Sequence, residues 1–402
     1  MVNPIKEELN VQASNPLPAD TVGWTVPHRA RLADVNNPLP LDCGEEITPV
    51  EVEYETYGKL NEARNNAILI LHALSGDAHA AGRSAKADEL NRPWQKNRPG
   101  WWDRMIGPGK SFDTNKYFVI CSNILGSCYG TTGPSSANPE TGQPYGLAFP
   151  VVTVGDWVRL QERLISHLGI KRLRAVAGGS LGGQQALEWA LAYPGRVESA
   201  IVIASSTRLS AQGLAFNAVA RHAVTTDPNF QEGNYYHDAA PDRGLAAARM
   251  LAHITYLSEI SMSRKFGRKY RNGDGPGFHL GVDFEVEGYL QHQGNSFVDR
   301  FDANSYLYIT RAMDYYDASS WGDGDIDQAC RRIESRVLLV SFSSDWLYPP
   351  EQMKELAIAL SRCRKHVSYA NIQSSYGHDA FLLEVEKLSQ LVRGFLKVRG
   401  VE

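Results

Sequence analysis

A sharp reversal of the chain is written into residues 178–182, Gly-Gly-Ser-Leu-Gly. Before it, residues 172–177 form a short run bounded by glycines that reads as a buried strand. After it, Leu181, Leu187, Ala190 and Leu191 recur at helical spacing until Pro194-Gly195 ends the segment. A strand that turns directly into a helix leaves its corner residue, Ser180, in a strained backbone region, and glycines at 178 and 182 remove side chains that would collide there. The new helix aims its free N–H groups and positive dipole end at the serine oxygen. Gly-x-Ser-x-Gly in this setting forms a nucleophile elbow. An ordinary Gly/Ser turn is the competing reading in a chain with 35 glycines; the strand before and the helix after favour the elbow.

The rest of the chain supplies a sheet for such a corner. Continuously apolar runs at 67–71, 117–121, 200–204 and 336–340 read as strands covered on both faces. Residues 50–57 alternate with a two-residue period, which predicts a half-exposed strand. Helical patterns such as 157–168 lie between the strands, so the fold class is α/β, with a mostly parallel central sheet and helices on both faces. That rhythm stops after Ser206 and resumes at 334; the interval holds amphipathic stretches at 244–258 and 304–316. The expected organisation is an N-terminal arm at 1–44, core at 45–206, a helical cap inserted at 207–333, and core again at 334–402. A cap placed there would cover the strand ends where such sheets bind ligands. The first 30 or so residues, rich in Pro and Asn, read as a loosely attached arm.

Composition closes off several functions. A net charge of -4 over 402 residues, with no dense Lys/Arg cluster, leaves no footprint for nucleic acid. No stretch approaches the roughly 18 apolar residues of a membrane span, and the first residues lack a secretory pattern, so the expected compartment is the cytoplasm. Five scattered cysteines (Cys43, Cys121, Cys128, Cys330, Cys363), with no Cys-x-x-Cys, read as reduced core thiols and give no metal centre.

A serine hydroxyl needs a base, and on this kind of sheet the chain order is nucleophile, acid, histidine. His378 sits in a glycine-marked turn between the strand-like run 367–372 and a final helical segment at 381–397. The other histidines after Ser180 fall in the insertion or, for His366, at a strand start. Asp345 occupies the loop after 337–342; a triad acid and a turn aspartate are both open to it. An oxyanion hole takes one N–H from the residue after the nucleophile, Leu181, and one from the loop after an earlier strand, where Leu74 is the candidate. His72 in that loop reads as structural.

Residues 178–190, Gly-Gly-Ser-Leu-Gly-Gly-Gln-Gln-Ala-Leu-Glu-Trp-Ala, carry a resemblance to the homoserine O-acyltransferases of the α/β-hydrolase superfamily. It extends through 72–77, 129–134, 248–256, 301–306, 344–347 and 377–379. The resemblance implies an α/β-hydrolase fold with a helical cap, and ping-pong acyl transfer from acyl-coenzyme A to the hydroxyl of L-homoserine in methionine synthesis. It implies Ser180 as nucleophile, Asp345 as acid and His378 as base, with Arg249 on the homoserine carboxylate and Asp379 on its amino group. Tyr256 is a further substrate-side residue; without the resemblance Arg249 would read as a solvated helix charge. Small-molecule substrates, no bound cofactor, no metal, no membrane and a homodimer complete the expectation. In the family, succinyl users tend to carry arginine where this chain has Leu347, so acetyl-CoA is the expected co-substrate. A succinyltransferase, a serine O-acetyltransferase and an esterase-type hydrolase remain as alternatives on the same machinery.

Overall fold

The computed structural model describes residues 18–273 and 275–397. Eight strands form the main sheet: β1 His28–Ala33, β2 Val50–Tyr57, β3 Ala67–Leu71, β4 Phe118–Ser122, β5 Ala175–Gly179, β6 Ser199–Ile203, β7 Arg336–Phe342 and β8 Val367–Ile372. Their order across the sheet is 1-2-4-3-5-6-7-8. β2 runs antiparallel to β1 and β4; every other pair is parallel. Every residue of β3, β5 and β6 is buried, as their unbroken apolar runs require. Alternate side chains feed two cores. Leu69, Val176, Val202 and Leu339 point to one face; Ile68, Ala177, Ile201 and Val340 point to the other.

Helices α1 Val154–His167 and α2 Leu181–Ala192 cover the first face, anchored by the buried Trp157 and Trp189. Between β6 and β7 the chain leaves the sheet and forms α3 Ala211–Thr225, α4 Asp242–Tyr256, α5 Glu259–Lys265, α6 Glu285–Val298, α7 Ala303–Tyr315 and α8 Ile326–Arg331. Within this group α4 packs on both α3 and α6. Helix α9 Pro350–Arg362 follows β7. The final segment, expected as one helix, is two: α10 Ala380–Leu383 and α11 Val385–Lys397, separated at Glu384, whose ψ of 48° breaks the helical path.

Three expectations are corrected. Strand β2 is covered on both faces: Glu53 and Glu55 are 1% and 2% exposed. Buried carboxylates need partners. Glu53 has Arg92 at 2.6 Å and Arg29 at 3.1 Å, and Glu55 has Nδ1 of His79 at 3.1 Å. Residues 28–33, assigned to the arm, form the sheet's edge strand β1; residues 1–17 lie outside the described part. All five cysteines are free, but only Cys121 and Cys330 are buried, while Cys43 is exposed. Among the described residues no helix is long and apolar enough to cross a membrane.

Candidate active site

Strand β5 delivers Ser180 and α2 begins one residue later. The serine adopts φ 58° and ψ −125°, a region L-residues avoid. Two contacts hold it there: its N–H donates to the Ile203 carbonyl at 2.9 Å, and the Ser205 hydroxyl donates to its carbonyl at 2.8 Å. The flanking glycines are obligatory. A Cβ on Gly182 would run into the Leu71 carbonyl, and one on Gly178 into the Gly182 carbonyl.

The loops after β7 and β8 bring the other two groups. Nε2 of His378 lies 2.8 Å from Ser180 Oγ, and Nδ1 lies 2.7 Å from Asp345 Oδ2. All three side chains are buried. The loops are stitched together, the Gly377 N–H donating to Ser344 Oγ at 3.0 Å and the Ser374 N–H to Ser343 Oγ at 3.1 Å. Gly377, at φ 72°, passes so close to the end of α4 that a Cβ would stand 2.5 Å from the Ser258 nitrogen. Burial works against protonation of His378, but the Asp345 charge and hydrogen bond, with the charge of Asp379, outweigh it and hold its pKa above the ordinary 6.5.

The amides of Leu74 and Leu181 have no hydrogen-bond partner among the described residues, and Leu74 lines the same small cavity as Ser180. In the cap, the Arg249 guanidinium lies 4.6 Å from the Phe297 ring and 5.6 Å from that of Tyr256, and donates to Ser75 Oγ at 3.4 Å. Asp379 is close enough to feel Arg249, yet the two form no ion pair. Burial raises the Asp379 pKa, with His378 and Arg249 pulling it back. The Tyr256 ring centroid is 6.0 Å from that of His378.

Two neighbours escaped the sequence reading. Ser205 lies just beyond the end of the next strand and pins the strained serine; nothing in its local pattern distinguishes it. Tyr348 is buried over the cavity, its ring 5.2 Å from His378, and its hydroxyl beside Ser180 lacks a hydrogen bond of good geometry. Its place three residues after Asp345 was the only signal.

An elbow serine in line with a histidine and a buried aspartate, with an unpartnered amide next to it in the chain and another on the same cavity, defines a serine-dependent acyl-transfer enzyme. The family model for the alpha/beta hydrolase fold matches residues 66–385. A homoserine O-succinyltransferase from Acidithiobacillus ferrooxidans is 50% identical over 382 residues, 94% of this chain and 97% of that protein. A homoserine O-acetyltransferase from Rhodopseudomonas palustris is 50% identical over 371 residues, 92% of this chain and 90% of that protein. The crystal structure of homoserine O-acetyltransferase from Bacillus anthracis superposes with a TM-score of 0.85 at 31% identity, covering 94% of this chain and 98% of that one. The chain belongs to the alpha/beta hydrolase fold family and, within it, to the homoserine O-acyltransferases.

Proposed function

We propose that this protein moves an acetyl group from acetyl-CoA to the side-chain hydroxyl of L-homoserine through an acetyl-serine. The line Asp345–His378–Ser180, with Arg249 on the cap and Asp379 on the core loop beside His378, unpaired with each other, carries the reading. Ser180 Oγ attacks the thioester carbonyl as His378 takes its proton. The oxyanion rests on the Leu74 and Leu181 amides, and the C–S bond breaks as coenzyme A leaves with the proton from His378. His378 then deprotonates the homoserine hydroxyl, which attacks the acetyl-serine, and the serine is released with its proton restored. Arg249 would hold the homoserine carboxylate and Asp379 its ammonium, with Tyr256 beside them. These steps use protein groups alone, with no bound cofactor or metal.

The relatives divide between acetyl and succinyl donors. Two features favour acetyl. The cavity over Ser180 is small, about 50 Å³, which suits a short acyl group better than a long one. Its wall near the acid is Leu347, and among the described residues no lysine or arginine lines it. A bare carboxylate there would go unmatched.

A homodimer fits the apolar side chains left in water on the cap, Leu214 and Val219 on α3, Ile254 on α4 and Ile260 on α5. Cytoplasmic residence fits the five free cysteines.

Purified protein is given acetyl-CoA with L-homoserine, L-serine or neither, following thiol release and product mass. O-acetylhomoserine with the highest kcat/KM, and ping-pong kinetics, is expected. Acetate release equally fast without an amino acid would sink transfer in favour of hydrolysis.

A further inference from the structure

The cavity over Ser180 accommodates an acyl group and leaves most of a coenzyme A thioester to lie elsewhere. A groove of about 840 Å³ opens between the core segment 75–101 and helix α6 of the cap. The loop after β3 is a shared wall: Leu74 lines the cavity, while Ser75 and Gly76 line the groove. Arg300, also on the groove, ties this wall to the cap by donating to the Ser75 carbonyl at 3.1 Å.

The chemistry of the groove matches a phosphorylated nucleotide. Lys96 and Arg98 stand exposed on it, and Arg98 has no ion-pair partner among the described residues. Trp94 and Trp101 contribute ring surface. Cations beside aromatic faces are what a base and its phosphates require. Two buried ring nitrogens on this wall, His79 Nε2 and Trp94 Nε1, lack hydrogen-bond partners among the described residues, although the same His79 ring is held at Nδ1 by Glu55 at 3.1 Å. Unmade hydrogen bonds of buried groups are costly and mark places where a ligand or water completes the set. The volume lies within the roughly 300–1,000 Å³ of small-molecule sites. A second large groove, about 620 Å³ beside Pro18 and Arg393, shares no wall with the Ser180 cavity, and its Lys110 is paired with Asp103 at 3.2 Å.

We infer that the groove between residues 75–101 and α6 binds the nucleotide end of the acyl-CoA donor, an inference that rests on the proposed transferase reaction. The phosphates lie at Lys96 and Arg98, the adenine against Trp101, and the pantetheine arm passes Ser75 toward Ser180.

The test compares wild type with the double variant Lys96→Glu/Arg98→Glu, using acetyl-CoA and the truncated donor acetyl-pantetheine, which lacks the nucleotide. Among the described residues the Lys96 ammonium pairs only with the exposed Asp88, and the Arg98 guanidinium makes no hydrogen bond or ion pair, so the fold does not depend on them. The ratio of the KM for acetyl-CoA to that for acetyl-pantetheine is expected to rise about tenfold; an unchanged ratio overturns the inference. Calorimetric titration of coenzyme A into both proteins reads the groove without turnover. Weaker binding to the variant supports it and equal binding overturns it, even for a wild type that makes no O-acetyl product, the result that would instead sink the reaction.

Discussion

Asp345 divides its carboxylate between two tasks: Oδ2 lies 2.7 Å from Nδ1 of His378, while Oδ1 accepts the Tyr348 N–H at 2.9 Å and the Leu347 N–H at 3.1 Å. The contacts expected of a turn residue and of a partner to His378 are both present, one on each oxygen. Asparagine can keep the turn through its own oxygen while presenting an N–H to His378, which forces the wrong tautomer. Asp345→Asn should therefore fold normally and lose roughly 10⁴-fold in kcat. Thermal unfolding with steady-state kinetics checks this; a drop in melting temperature large enough to explain the lost rate would point to the turn instead.

His378, as the proposed base, should set the acid limb of activity. Only the neutral imidazole can accept the serine proton, so kcat/KM should fall as pH drops through a pKa above 6.5. Because Asp379 helps raise it, Asp379→Asn should move that limb toward lower pH, besides weakening homoserine binding. Stability runs the other way: a histidine whose folded pKa is raised contributes fully below 6.5, and the contribution is lost as pH rises through the folded value. A pH–rate profile whose acid limb is identical in wild type and Asp379→Asn would contradict this.

The elbow leaves no room for a methyl group. In Gly182→Ala the new Cβ would meet the Leu71 carbonyl, part of the backbone of β3. Overpacking of this kind costs about 1–3 kcal/mol, and relief by moving α2 would carry Ser180 away from His378. Loss of both melting temperature and activity is expected. Gly195→Ala, where no atom lies within 4 Å, is the control and should be near neutral.

The triad was legible because the Gly-x-Ser-x-Gly corner, the chain order and two loops after apolar runs are all local signals. The sheet was legible for the same reason wherever burial on both faces wrote a continuous apolar run, as in 67–71. Strand 50–57 misled because its glutamates look solvent-facing; Arg92, His79 and Arg29, the groups that let Glu53 and Glu55 be buried, are distant in sequence. Arg249 and Asp379 came from resemblance alone, since a single charge on a helix says nothing about what it faces. Tyr348 was invisible because a buried hydroxyl without a partner is a property of three dimensions.

Glu188, on helix α2 that follows Ser180, is buried with both carboxylate oxygens 3.1 Å from the Trp321 indole nitrogen. Burial pushes its pKa up to about 7. From pH 4.5 to 7 the unfolded chain has lost this proton and the folded one has not, so stability falls as pH rises through that window. Glu188→Gln removes the charge and keeps an acceptor for Trp321. It should stabilise the protein by on the order of 2 kcal/mol at pH 8 and by little at pH 4.5. Chemical denaturation at the two pH values measures it, and an equal effect at both would argue that packing, and not charge, decides.

Leu347 is half-buried in the wall of the Ser180 cavity, two residues after Asp345, and the proposed preference for acetyl can be tested there. An arginine there would bring a cation within reach of the far end of an acyl chain, and a carboxylate is the group it pairs with best, through two parallel hydrogen bonds. The guanidinium would also occupy part of a cavity of only about 50 Å³, so the acetyl donor suffers while the succinyl donor gains a partner. In Leu347→Arg, kcat/KM for acetyl-CoA should fall about tenfold, and the ratio of succinyl-CoA to acetyl-CoA efficiency should rise by about 100-fold, near 2.8 kcal/mol of differential transition-state binding. Should the ratio stay constant while both efficiencies drop, the cavity wall would be acting through packing, and the discrimination between donors would reside elsewhere on the acyl path.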